Sequence, residues 1–341
     1  MITLDDKLNE YLNELPRYVR DYVNSESERL SVKSQIAYTL DLKIFLIYIV
    51  QSGKCGDIKK VTIDMLDELN DNDMNEYLRW LSHYKVDDKE YTNNSAGKKR
   101  KRASVRAFFQ YLRKIGKMKN NPTEFTVTPV VREKEIVVLS QDEQSDMLSN
   151  VVNGTNKTGR QLKFHEKTKL RDLAIIFLFL GTGIRVSELV GLNDTDIDLQ
   201  EQRALVIRKG GKRSFVYFSD DVIEVLSNYM ENERNALLGY KDGKAPEGLP
   251  LFVSLKKQRL SVRMVEVIIK NYARFILPPS VKVTPHTLRK TYGTLLYNKY
   301  KDLYLTQNAL GHASPATTAK YYTKWNEDYL KKLKEYDIKR Y

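Results

Sequence analysis

Apolar residues recur at three- and four-residue spacing through the first third of the chain, the period of an amphipathic helix. Over residues 5–23, Leu8, Tyr11, Leu12, Leu15, Val19 and Tyr22 share one face, and Pro16 interrupts the run. Ser31 is placed to cap the next helix, which carries Val32, Ile36, Leu40, Ile44, Ile47 and Tyr48 and ends before Ser52-Gly53. Further helices are predicted at roughly 74–84 and 95–115; in the latter, Val105, Phe108, Phe109 and Leu112 fall at i, i+3, i+4 and i+7. Asn121-Pro122 stops that helix. Residues 127–138 are rich in β-branched side chains, contain Pro129 and lack a helical period, so they are expected to be extended. The pattern divides the chain into a helical domain over 1–120, a linker over 121–139 and a second domain over 140–341.

The second domain is mixed. Ser140 with Glu143 three residues later has the form of a capping box. Residues 171–180 are nearly all apolar after the first two, as expected of a buried central helix ended by Gly181. Val186, Leu189 and Val190 restart a helix. Apolar segments at 204–208 and 214–218 flank Lys-Gly-Gly-Lys-Arg, a signal for a β-hairpin with a glycine turn. Helices follow at about 219–237, 261–275, 287–299, 303–310, 315–321 and 326–336. The expected fold is mainly α with a small antiparallel β-sheet: a helical first domain and an α+β second one.

Charge narrows the function. Across 341 residues, 57 Lys+Arg against 44 Asp+Glu give +13, which favours a polyanionic partner over a small acidic substrate. Nucleic acid and an anionic membrane both fit. No run of about 18 apolar residues is present, so no membrane span is expected. The acidic N-terminus lacks the basic and apolar regions of a signal peptide. Cys55 is the lone cysteine, which excludes an intramolecular disulfide and a multi-cysteine zinc site. A cytoplasmic setting is the simplest reading. The positive charge is concentrated: Ala96–Asn120 holds ten basic residues and no acidic one. Lys98, Lys99, Arg100, Lys101, Arg102, Arg106 and Arg113 are therefore candidate DNA contacts. Lys99, Arg102, Arg106 and Arg113 repeat near helical spacing, away from the apolar stripe. The plainer alternative is a solvated surface.

Candidate chemistry sits in the second half. Arg185 follows Thr182-Gly183 at a helix start, where a guanidinium offers a planar fork to two phosphate oxygens. Taken alone it is an ordinary helix-terminal arginine. Lys209 ends a hairpin strand, and a flexible ammonium there can protonate an alkoxide leaving group. Lys209 and Lys212 read equally well as exposed turn lysines. His286 and Arg289 lie at i, i+3 at the head of a helix introduced by Thr284-Pro285, on one face and near an anion-attracting N-terminus. His83 and His165 read as structural. His312 follows Gly311 at a helix end, where it could donate to a phosphate oxygen, and Tyr321 lies nine residues beyond it. Two arginines, a hairpin lysine, two histidines and a tyrosine are a set that can cut a DNA phosphodiester without a metal.

In this order the boxes Ile184–Leu192, Lys209, His286-x-x-Arg289, Leu310–Ser314 and Thr317-Thr318-x-x-Tyr321 resemble those of the tyrosine recombinase (phage integrase) family, above all its Xer-type branch. The likeness covers almost the whole chain. It implies a SAM-like core-binding domain, a catalytic domain, and a C-terminal tail (Trp325, Tyr329, Leu333, Tyr336) that docks on a neighbouring protomer. It implies that Tyr321 attacks phosphorus, leaving a 3′-phosphotyrosine and a free 5′-hydroxyl. Arg185, Arg289 and His312 would stabilise the transition state, His286 would orient or deprotonate the tyrosine, and Lys209 would protonate the 5′-oxygen. Lys212 and Arg213 would add DNA contacts. No metal or other cofactor is implied, and chelators should not inhibit. The implied partners are double-stranded DNA with a specific inverted-repeat site, a homodimer on one site and a homotetramer in the synaptic complex. A second recombinase or a DNA translocase stays open as a further partner, and membrane is excluded. Tyr322 beside Tyr321 leaves a one-residue ambiguity. Residues up to about 30 and the 152–168 stretch look extended relative to a minimal Xer protein. Two rival readings remain: a type IB topoisomerase, and a non-catalytic architectural DNA-binding protein. Within the family, dimer resolution and mobile-element integration or excision both fit.

Overall fold

The structure is a computed structural model that describes residues 3–130, 137–155, 157–240 and 245–311. It contains two compact units, Met1–Lys134 and Glu135–Tyr341. It is mainly helical with small antiparallel sheets, and no described helix is long and apolar enough to cross a membrane.

In the first unit, α1 (Leu4–Asn13) opens on Thr3 with Asp6 completing a capping box, and α2 (Arg17–Ser25) begins directly after Pro16. Ser31 caps the long α3 (Val32–Gln51). The short α4 (Ile63–Asp67) and α5 (Asp71–Trp80) lead to a hairpin of β1 (His83–Val86) and β2 (Lys89–Thr92), and then to α6 (Ser95–Lys114). The hairpin corrects the expected helix at 74–84. That helix ends at Trp80, and Asp87 and Asp88 take positive φ (48° and 62°) in a two-residue turn that suits right-twisted strands. Tyr84 stacks between Trp80 and Tyr91, so the hairpin is fastened by rings at its base. The core is aromatic: Phe45, Tyr77, Phe108 and Phe109 are at most 1% exposed and meet largely edge to face.

Two of the expected DNA contacts are instead interior. Lys101 and Arg102 are 7% and 6% exposed. Asp41 on α3, 1% exposed, draws α6 inward. It accepts from Arg100 (Nη2 to Oδ1, 2.7 Å) and from Ser104 Oγ (2.7 Å), with Lys101 Nζ 3.7 Å away. Arg102 turns the other way and donates to the carbonyls of Thr123 and Thr126, both at 2.8 Å. Its basicity therefore serves the chain that follows α6, because a buried guanidinium must be hydrogen-bonded. Residues 121–126 are thereby held on the first unit and are not free linker. Arg102→Met should destabilise this unit by about 2–4 kcal/mol in urea unfolding, since each buried carbonyl left without a donor costs about 1–3 kcal/mol. It should leave the salt dependence of DNA binding unchanged. Arg106→Ala should do the reverse, with stability intact and the salt slope shallower by about 1.

The second unit is built on α9 (Lys169–Thr182). Before it come α7 (Gln141–Asn153), opened by the Ser140/Glu143 capping box, and α8 (Gly159–His165). After it come α10 (Val186–Gly191) and a sheet of β3 (Ile197–Asp198), β4 (Arg203–Ile207) and β5 (Arg213–Tyr217), paired antiparallel in that order. Then follow α11 (Asp220–Tyr229), a π-turn over Met230–Arg234, α12 (Asn235–Leu238), α13 (Val262–Ala273), α14 (Pro285–Tyr300) and α15 (Leu303–Leu310). Ile175, Ile176, Leu178 and Phe179 are fully buried, and α7, α11 and α14 pack round them. Gly181 does not end α9. It lets α11 approach, for a Cβ there would lie 2.5 Å from Val222 Cγ2. The stop is Gly183, whose φ of 62° gives the left-handed cap. His165 is buried with Nδ1 3.2 Å from Tyr272 Oη, and His83 is exposed 3.9 Å from Glu90. The helices expected at 315–321 and 326–336 lie outside the described residues.

Candidate active site

Three helix ends meet at one turn. The left-handed cap at Gly183 swings the chain off α9, Ile184 plugs the core at 1% exposure, and Arg185 becomes the cap of α10. The Arg185 N–H donates to Glu188 Oε2 (3.0 Å) and its Nη1 to Oε1 (2.7 Å). The Glu188 side chain is 3% exposed, against 35% for Arg185. One buried carboxylate thus fixes both the backbone and the head of this arginine. Nη2 reaches the carbonyl of Gly311 at 2.8 Å.

Arg289 arrives from α14, whose first turn is set by Thr284, Pro285 and a reciprocal bond with Thr287. It is 5% exposed, and its two Nη groups donate to the carbonyls of Gly183 and Leu310. A third guanidinium, that of Arg208, lies 3.3 Å from the carbonyl of Ala309. Three consecutive carbonyls at the C-terminal end of α15 therefore each meet a different arginine. The partial negative charge of a helix C-terminus helps to hold this crowd of cations. A guanidinium has five N–H donors, so Arg185 keeps donors for an incoming oxyanion beyond those it gives to Glu188 and Gly311.

His286 lies one helical turn before Arg289 and is exposed. The protein around its ring, and then the charges of Lys290, Arg289 and Arg185, hold its pKa below the ordinary histidine value, so it is neutral at pH 7. Of the expected set, Arg185, Arg289 and His286 come together. The backbone of Lys209 sits at the hairpin tip, between β4 and β5; its side chain, His312 and Tyr321 lie outside the described residues. Lys212 and Arg213 are exposed beside that tip. Glu188 and Arg208 carry no role in the sequence reading. Glu188 was detectable as the capping-box acid three residues after Arg185, whereas Arg208 gives no signal. Among the described residues no cluster of His, Cys, Asp or Glu could hold a metal ion.

A basic helical unit and a second unit whose guanidiniums converge beside a neutral histidine have the chemistry to meet an anion such as a phosphodiester. The phage integrase family pattern matches residues 131–328. Tyrosine recombinase XerC of Caldanaerobacter subterraneus subsp. tengcongensis is 32% identical over 84% of this chain and 76% of its own. Tyrosine recombinase XerS of Streptococcus agalactiae is 28% identical over 93% and 94%. The crystal structure of XerH site-specific recombinase bound to difH substrate shares the fold, with a TM-score of 0.64 at 21% identity over 93% of this chain and 83% of that one. The chain belongs to the phage integrase family, as a Xer-type tyrosine recombinase. It is thus an enzyme of site-specific DNA recombination, and neither a topoisomerase nor a non-catalytic DNA-binding protein is favoured.

Proposed function

We propose that this recombinase cuts duplex DNA at a specific inverted-repeat site through a 3′-phosphotyrosine at Tyr321, exchanges strands and rejoins them. The observation that carries this reading is the convergence of Arg185 and Arg289, 104 residues apart in sequence, on the Leu310–Gly311 turn. A phosphate seated there would have its non-bridging oxygens facing fixed donors, and such preorganised donors stabilise the charge that builds in the transition state. His312 adds a donor, and Lys209 passes a proton to the 5′-oxygen. The covalent ester conserves the energy of the broken bond, so religation needs no nucleotide. The roles proposed for these residues use no metal, so cleavage should proceed in a chelator. A duplex nicked beside the scissile phosphate tests the reading. Loss of the short 3′ fragment should trap covalent protein, and two sites on one circle should yield exchanged flanks. Relaxed circles without exchange would refute it.

His286 orients or deprotonates the tyrosine, which requires its neutral form. Its pKa lies below the ordinary 6.5. The acid limb of single-turnover cleavage should therefore have its midpoint below that ordinary value. His286→Gln should lower the plateau and remove that acid limb.

The first unit acts as the core-binding domain, with Lys99, Arg106 and Arg113 as its exposed contacts; Lys98 and Arg100 keep partial roles beside Ser82 and Asp41. The second unit is the catalytic domain, with Lys212 and Arg213 at its hairpin. Two protomers occupy one site, four form the synapse, and the segment after Tyr321 docks on a neighbour. Affinity should fall linearly with log salt, by a slope of about −0.9 per phosphate neutralised.

A further inference from the structure

The residue just before Lys209 is the one that ties the hairpin down. The N–H of Arg208 donates to the carbonyl of Lys212 at 2.8 Å, so these two residues form the rung from which the tip projects. The tip itself is held by no packing at its glycines. Gly210 and Gly211 have φ of 79° and 75°, and no atom lies within 4 Å of where a Cβ would stand on either. The Arg208 side chain instead crosses to α15. Nη2 lies 3.3 Å from the carbonyl of Ala309. Its Nη1 edge abuts Gly311: a Cβ there would fall 1.0 Å from Nη1, 2.2 Å from Cζ and 2.8 Å from Nε. Nε is buried and has no hydrogen-bond partner, so beyond the single bond to Ala309 this placement rests on packing and charge. Burial beside Arg185 lowers the basicity of the Arg208 guanidinium, and Glu188 and the negative C-terminal end of α15 oppose that cost in part.

We propose that Arg208 is a positioning residue for strand cleavage: it anchors the hairpin to the end of α15 and so delivers Lys209 to the phosphate gripped by Arg185 and Arg289. This rests on the reading of Lys209 as the general acid. In that step the Tyr321 hydroxyl gives up its proton to the neutral His286 or to water as the Oη–P bond forms, the P–O5′ bond breaks, and the Lys209 ammonium gives its proton to O5′. Replacing O5′ by sulfur removes the need for the proton, because a thiolate leaves unaided (the conjugate thiol ionises near about 8.5).

The test is single-turnover cleavage by the full chain on duplexes with 5′-bridging oxygen or sulfur at the scissile phosphate. On oxygen, Arg208→Ala should be slower by about 10–10², the scale of a misplaced catalytic group. On sulfur, Arg208→Ala and Lys209→Ala should both return to within a few-fold of the parent, while Arg185→Ala stays slow on both. Arg208→Lys keeps charge and stem but loses the guanidinium edge against Gly311, and should show a smaller defect that sulfur also relieves. If sulfur rescues Lys209→Ala but neither Arg208 variant, Arg208 acts on the phosphate or the fold and the proposal is overturned. Full activity of Arg208→Ala on oxygen overturns it as well. Failure of sulfur to rescue Lys209→Ala removes the general-acid reading itself, and the proposal with it.

Discussion

Tyr321→Phe is expected to bind its DNA site with unchanged affinity and to form no covalent adduct. The variant loses one oxygen atom and no charge, and affinity in a basic protein of this kind comes from phosphate neutralisation by lysine and arginine. The rate should fall on the order of 10⁶-fold, the scale seen when a nucleophilic hydroxyl is removed from a set of residues that act as a unit. A nicked duplex that traps the adduct, followed by denaturing electrophoresis, measures it directly, and a gel shift on the intact duplex measures binding. Tyr322→Phe should trap adduct normally. An adduct that survives in Tyr321→Phe and vanishes in Tyr322→Phe would move the nucleophile by one residue. Loss of binding in Tyr321→Phe would mean that the hydroxyl serves the complex and not the chemistry.

The sequence was most informative where one interaction dominates. Helices with a wide apolar stripe and a side-chain cap, such as Val32–Gln51 behind Ser31 and Gln141–Asn153 behind Ser140, follow from period and cap alone. The glycine-turn hairpin at 203–217 is equally local. The 83–92 hairpin was hidden because its strands are polar: only Tyr84 is buried, and its turn uses Asp-Asp in place of glycine. Gly181 was misjudged because two demands for glycine, a left-handed cap and a close helix approach, look the same in sequence and lie two residues apart.

Charge was the least legible property. A run of basic residues on one helix reads as a single face, yet the partners that divide it are remote. Asp41, some 60 positions earlier, takes Arg100 and Lys101, and the backbone after α6 takes Arg102. No local pattern announces a buried acid on another helix. The same holds at the active site. Arg185 and Arg289 are legible through their motifs, but Arg208 acquires its place only when α15 brings glycine backbone against it. The part of the site that depends on chain segments meeting in space was invisible until they met.

That distinction makes the second large effect asymmetric between the two arginines proposed to hold the phosphate. Arg185→Lys and Arg289→Lys should each slow cleavage by about 10²–10³, the usual loss for one preorganised donor on a developing oxyanion. Only Arg289→Lys should also lower the melting temperature. Arg289 is 5% exposed and spans the carbonyls of Gly183 and Leu310, the ends of α9 and α15. A lysine ammonium is a point donor and cannot replace that fork, so one buried carbonyl is orphaned. A loss of about 2 kcal/mol corresponds to about 4–8 °C for a unit of roughly 200 residues. Arg185 is partly exposed and its Glu188 partner still has the N–H of residue 185, so a lysine there changes the melting point little. Scanning calorimetry beside single-turnover cleavage separates the two roles. Equal melting points with equal rate losses would mean that Arg289 holds phosphate alone; a melting loss without a rate loss would mean that it holds only the scaffold on which Arg185 works.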